Sequence, residues 1–135
     1  MSAVYLLDTC TVSDFVKGER GVMARIKGCS PALLAVSSVT RMEIAYGLAL
    51  APERGQRWAG MLDAFFSVVT TLPFETADAQ TAGGLRADLR AKGQPIGAYD
   101  VLIAATGLRN GLVVVTSNVG EFNRIAGLRV ENWRL

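Results

Sequence analysis

Val4-Tyr5-Leu6-Leu7-Asp8-Thr9 decides how this chain is read: four apolar residues run straight into an acid and a hydroxyl, and helical spacing follows through Val12, Phe15 and Val16. The segment predicts a buried strand, a tight loop and a helix. Working outward, a second short helix is expected over residues 22–27, before Pro31 breaks the chain. Residues 33–36 are again continuously apolar and predict another strand. Ser37, Ser38 or Thr40 then caps a helix through Met42, Ile44, Ala45 and Leu48 that stops near Pro52.

The same alternation continues. Residues 54–66 carry helical spacing, residues 68–72 predict a third strand closed by Pro73, and Thr76 or Asp78 caps a helix carrying Leu85 and Leu89 that ends at Lys92-Gly93. Residues 99–109 are helical, Asn110-Gly111 is a break, and Leu112-Val113-Val114-Val115 is the clearest strand in the chain. A short final strand is expected over residues 128–130. Continuously apolar strands separated by helices suit a parallel sheet covered on both faces. The predicted class is therefore α/β, a three-layer α/β/α fold wound around a central, mainly parallel sheet. Its 135 residues, 50% hydrophobic, suit one core and one domain spanning 1–135, without linker or internal repeat.

Composition removes several function classes. The chain has no histidine, which excludes Ser-His triads, Cys-His dyads and the usual nitrogen-rich zinc sites. Cys10 and Cys29 lack both the spacing of a zinc site and the density of a disulfide framework, and are read as small, partly buried thiols. A net charge of +2 permits an RNA partner without demanding one. No apolar stretch is long enough for a membrane span, and Met1-Ser2 leads into residues 4–7 without a basic leader, so a cytoplasmic address is expected.

Chemistry must then rest on carboxylates or a bound cation. Asp8 follows the first strand, Glu43 lies on an apolar helix start, Asp100 precedes Val101-Leu102-Ile103-Ala104-Ala105, and Asn118 follows the last strong strand and Thr116-Ser117. In open α/β sheets the functional crevice lies beyond the carboxyl ends of the strands, where strand order reverses. Asp8 and Asn118 fall at such ends. If helices bring Glu43 and Asp100 there, three carboxylates converge, and Mg²⁺ or Mn²⁺ is the natural counter-charge for hard oxygen ligands. Such a site cleaves a phosphodiester without histidine, through metal-activated water.

Each residue also has a structural reading. Asp8 can cap the first helix, Thr40-x-x-Glu43 matches a capping box, Asp100 complements a helix dipole, and Asn118 is an ordinary turn residue. Arg86 and Arg90, one helical turn apart, either steer phosphates or form a solvated face. The glycines carry no dinucleotide or P-loop fingerprint. A phosphotransfer reading with Asp8 as nucleophile lacks the second aspartate two residues on, where Cys10 stands.

Four segments together carry a resemblance. Leu6-Leu7-Asp8-Thr9, Ser37-x-x-Thr40-x-x-Glu43-Ile44-x-x-Gly47, Ile96-Gly97-x-x-Asp100-x-Leu102-Ile103-Ala104-Ala105, and the closing Val115-Thr116-Ser117-Asn118-x-x-Glu121-Phe122 through Asn132-Trp133 resemble, in order, a PIN domain of the VapC or FitB type. The resemblance implies a Mg²⁺- or Mn²⁺-dependent endoribonuclease toxin, held inactive by a cognate VapB-type antitoxin and forming a homodimer. It places Asp8, Glu43 and Asp100 as the acidic triad and Asn118 as a fourth site. Thr116 is implied as a helper that positions metal or water, and Glu121 as an extra acid supplying charge that Asn118 lacks. Structured RNA is the implied substrate, transfer RNA first. Cys10 replaces a common asparagine and Thr106 a frequent histidine, so the alternative is a catalytically impaired module that binds RNA or protein.

Overall fold

The computed structural model describes residues 2–135. Five strands form one sheet in the order β3-β2-β1-β4-β5, where β1 is Tyr5–Leu7, β2 Leu34–Ser37, β3 Thr70–Leu72, β4 Val113–Val115 and β5 Val130–Glu131. Every pairing is parallel, so the expectation of a mainly parallel sheet becomes a wholly parallel one. Tyr5, Leu6 and Leu7 lie opposite Leu34, Ala35 and Val36 on one side and Val113, Val114 and Val115 on the other. The chain builds outward from β1 to β3, then returns to β1's other flank with β4. The reversal of strand order therefore falls between β1 and β4.

Side chains alternate across the sheet with period two, and this splits the core. Leu7, Val36 and Val115 face a cluster with Val12, Phe15, Ile26, Ile44 and Phe65, drawn from α1 (Thr9–Lys17), α2 (Arg20–Gly28), α3 (Ser38–Leu50) and α4 (Pro52–Val68). Leu6, Ala35 and Val114 face a second cluster with Leu89, Val101, Ile103, Ala104 and Phe122, drawn from α5 (Thr76–Ala91), α6 (Ala98–Arg109) and α7 (Val119–Phe122). Each fully buried aliphatic or aromatic side chain contributes about 1.5–3 kcal/mol of transfer free energy. The Phe15 and Phe65 rings meet at 5.0 Å between centroids on the first side.

Local chemistry corrects three expectations. Ser37, rather than Ser38 or Thr40, caps α3 by accepting from the Val39 N–H at 3.0 Å. The Thr40-x-x-Glu43 capping box is therefore absent, and Thr40 is fully buried against Thr9 instead. At α5 the cap is Glu75, and Asp78 is its reciprocal partner, accepting from the Glu75 N–H at 2.8 Å. Asp78 has no exposed surface because it also binds the Arg109 guanidinium at 2.5 Å, which pins α5 to α6. The strand expected over 68–72 begins later, at Thr70, because α4 persists through Val68.

The last residues turn back over α1 and α2. Trp133 packs edge-on against Tyr5 with ring centroids 5.0 Å apart, donates its indole N–H to Glu131 at 2.9 Å, and lies under the Arg25 guanidinium. Gly21 is required beneath it: a Cβ there would stand 2.3 Å from the Trp133 carbonyl oxygen. Arg134 then grips Asp14 with two hydrogen bonds of 2.7 and 2.8 Å. No helix among the described residues is long and apolar enough to cross a membrane.

Candidate active site

The backbone builds the site first. The Asp8 N–H donates to the Val115 carbonyl at 3.0 Å, which fastens the end of β1 to the end of β4 and sets Asp8 beside the Thr116-Ser117-Asn118 turn. Asp8 is the N-cap of α1, its Oδ1 accepting from the Thr11 N–H at 2.9 Å. The capping reading and the site reading of Asp8 are thus both correct, because one oxygen serves the cap while the residue still lines the cavity. Asp100 likewise lies in the first turn of α6, where the helix dipole favours a negative charge.

Asp8, Glu43, Asp100 and Asn118 line one cavity of about 410 Å³ at the carboxyl ends of β1 and β4, together with Thr9, Cys10, Ser13, Asp14, Lys17 and Arg134. The four sequence-predicted positions come from separate parts of the chain, one after β1, one on α3, one on α6 and one after β4. Glu43 is oriented by the Thr9 hydroxyl, which donates to its Oε1 at 2.6 Å. Thr116 is fully buried and does not line the cavity; its Oγ1 accepts from the Asn118 N–H at 2.9 Å and so shapes the turn that presents Asn118. Glu121 is not among the lining residues but lies beside Asp100, accepting from the Gly97 N–H at 3.1 Å and from the Asn118 amide.

Electrostatics single out Asp100. Burial, then the neighbouring Glu121, then Asp8 and Glu43, push its carboxyl up to about 7. A group held this far above the ordinary carboxylate range reports burial first and crowded negative charge second. Gly97 faces it so closely that a Cβ there would lie 3.1 Å from Asp100 Oδ2. Among the described residues no three His, Cys, Asp or Glu side chains form a group that could hold a metal ion as placed.

The donor set nevertheless fits a hard divalent cation. It is all oxygen, it carries excess negative charge at Asp100, and Mg²⁺ binds through one or two carboxylates while keeping several waters. A tight cage is not needed for such an ion.

Sequence reasoning missed several lining residues. Cys10 is the partly buried thiol expected, and beyond that its Sγ donates to Asp8 at 3.1 and 3.2 Å and meets Ser117 Oγ at 3.2 Å. Burial and the Asp8 charge raise its pKa, so the thiol stays protonated and acts as a donor. Ser13 and Lys17 follow Thr9 at intervals of four on α1, a spacing that was available as a signal. Arg134 had no such signal, since its place beside Asp14 depends on the tail crossing α1.

A family model described as the PIN domain matches residues 5–128. The chain belongs to the PIN-domain family. Among curated PIN relatives, it is 37% identical over 131 residues to the tRNA(fMet)-specific endonuclease VapC of Salmonella typhimurium, covering 96% of this chain and 97% of that protein. It is 33% identical over 129 residues to the tRNA(fMet)-specific endonuclease VapC of Shigella flexneri, with the same coverage of 96% and 97%. Among solved structures, DNA-bound VapBC from Salmonella typhimurium superposes with a TM-score of 0.86 at 37% identity, over 97% of this chain and 98% of that one. VapBC2 from Rickettsia felis, bound to a fragment of its promoter, gives 0.87 at 30% identity, over 96% and 98%. The three-layer α/β class read from the strand and helix pattern and the PIN domain implied by the resemblance are both found.

Proposed function

We propose that this PIN-domain chain is a Mg²⁺- or Mn²⁺-dependent endoribonuclease and the toxin of a toxin-antitoxin pair, with structured RNA, and transfer RNA first, as its substrate. The observation that carries the reading is the convergence of Asp8, Glu43 and Asp100 in one cavity at the switch between β1 and β4. Asp8, Glu43, Asp100 and Asn118 would hold the ion, with Glu121 adding charge from beside Asp100. When bound, the ion supplies a lowered water pKa and charge neutralisation at a phosphodiester. Thr9 keeps Glu43 aimed at the cavity, the Thr11 N–H and the Cys10 thiol fix Asp8, and Thr116 sets the Asn118 turn. In the metal-free chain burial and the neighbouring acids push the Asp100 carboxyl up to about 7, a strain that a bound cation would relieve by favouring the ionised form.

The relatives named as tRNA(fMet)-specific endonucleases support transfer RNA as the first substrate to try. Similar solved structures contain VapBC pairs, which supports a VapB-type antitoxin as partner. Homodimerisation is supported by Met42, Tyr46 and Leu50, which recur every fourth residue along α3 and are 44, 64 and 67% exposed. A second reading, a binding module without catalysis, draws on the absence of a ready metal group and on the Asn118 amide being tied to Glu121.

One experiment separates the two. Purified protein is incubated with transfer RNA in Mn²⁺, beside a chelator control and the Asp8→Asn and Asp100→Asn variants. Cleavage that requires the ion and both acids, with unchanged circular dichroism, is the expected outcome. Undiminished cleavage by either variant overturns the nuclease site, and calorimetry showing no Mn²⁺ uptake with no cleavage favours the binding module.

A further inference from the structure

A cavity of about 620 Å³ lies outside the acidic site, between α5 and α6. Its floor is apolar, formed by Leu89, Pro95, Ile96 and Val101, and Arg86 and Arg90 stand on its α5 wall. Both arginines are exposed, and among the described residues neither has a carboxylate within ion-pair distance, since the nearby Asp88 is engaged by Lys92 at 3.4 Å. Two free guanidinium groups one helical turn apart are suited to phosphate oxygens, which they grip as forks. An apolar hollow of this volume is in the range of small-molecule pockets and accepts a flat ring.

The cavity is also continuous with the first turn of the helix that carries the acid site. Ala98 and Val101 line the hollow while Asp100, between them on α6, lines the acidic cavity. The two cavities therefore sit on two sides of one helical turn. A nucleotide unites the features the hollow offers, an apolar planar base and an anionic phosphate.

We propose that this cavity is a subsite for an unstacked nucleotide of single-stranded RNA next to the cleaved bond, its base against Leu89, Pro95 and Ile96 and its flanking phosphates on Arg86 and Arg90. The inference rests on the nuclease reading for the word "cleaved" but makes its own claim about binding. Bases splayed from single strands are the usual target of RNA readers, and phosphate contacts set their register. Losing this subsite raises KM and leaves kcat largely in place, because the contacts hold ground state and transition state alike.

The test uses the full chain carrying Asp100→Asn to block turnover, and a fluorescein-labelled single-stranded RNA read by anisotropy across a salt series. In that background Arg86→Ala/Arg90→Ala is expected to weaken binding about tenfold or more at low salt. It should flatten the plot of log affinity against log salt by about 1.4, two contacts at about 0.7 each for a single strand. Ala87→Trp, which fills the hollow without altering charge, should weaken binding and keep the slope. Arg57→Ala, on α4 across the sheet, serves as a single-charge control away from the cavity and should retain the affinity for the most part.

Unchanged affinity and slope in the double variant overturn the proposal. So does an Arg57→Ala loss equal to that of the double variant, or no measurable RNA binding by the parent. A change in elution volume of either cavity variant without loss of RNA affinity also overturns it, and assigns the hollow to a second copy of the chain. Cleavage by the unsubstituted protein is scored separately. If it cleaves and the cavity variants bind as before, this inference falls alone; if it does not cleave while the cavity variants lose binding, the nuclease reading falls alone.

Discussion

Asp100→Asn should make the metal-free protein more stable at pH 8 while leaving it nearly unchanged at acid pH. In the folded chain the carboxyl stands at about 7, against the ordinary 3.8 of an exposed aspartate. Between those values the native state holds more protons than the unfolded state, so stability falls as pH rises through this window. The destabilisation is complete above about 7 and absent below the ordinary value. A full conversion at 1.36 kcal/mol per pH unit gives about 4 kcal/mol, and solvent screening at this partly exposed position reduces it to roughly 1–2 kcal/mol. Asparagine removes the charge and keeps the shape. For a chain of this size that corresponds to a melting temperature about 3–8 °C higher for the variant at pH 8 in chelator. Thermal melts followed by circular dichroism at pH 5 and pH 8, each with and without Mn²⁺, measure it. The gap should narrow at pH 5 and close only as the pH falls below the ordinary 3.8, and Mn²⁺ should raise the melting temperature of the unsubstituted protein more than that of the variant. A variant less stable than the parent at pH 8 in chelator, or a gap equal at both pH values, refutes the claim that crowded charge is stored at Asp100.

Asp78→Ala strands the partly covered Arg109 and removes the reciprocal cap of α5, so urea melts should show a loss of about 2–4 kcal/mol. Thr9→Val deletes the 2.6 Å donor to Glu43; RNA cleavage assayed at saturating Mn²⁺ should drop while stability changes by only about 1 kcal/mol. Gly107→Ala places a Cβ 2.7 Å from Val114 Cγ2, and the forced separation of α6 from β4 should cost about 1–3 kcal/mol by denaturant titration. Gly21→Ala cannot coexist with the Trp133 carbonyl in its present place, so Trp133 fluorescence should shift towards that of solvated indole as the tail lifts.

The sheet was legible because its strands are buried on both faces and are continuously apolar. Tyr5-Leu6-Leu7, Leu34-Ala35-Val36 and Val113-Val114-Val115 could hardly be anything else beside helices of clear period. The edges were less legible. Thr70 and Thr71 have no apolar run of their own, and Val68, which does look like strand, belongs to the helix before it. Capping was left open at α3, where Ser37 is the cap among the three residues offered, and misplaced at α5, where Glu75 caps rather than Thr76 or Asp78. The short helix α7 is a single turn and leaves no periodic trace. In the site, the acids stood out because each interrupts an apolar neighbourhood. Cys10, Lys17 and Arg134 did not, because a thiol, a helix-end lysine and a penultimate arginine are unremarkable until the folded chain sets them around one cavity.

The partition of the core by the sheet has a bearing on when activity first becomes available. Glu43 arrives with the layer of α1 to α4, Asp100 with the opposite layer, and Asn118 only after β4 has slotted in beside β1. A polypeptide still emerging from the ribosome lacks its assembled acidic cavity until residue 118 is out, and later loosening of either layer pulls the acids apart. Under the proposed nuclease reading, a chain wired in this manner has no assembled acidic site during synthesis or whenever it is half-melted.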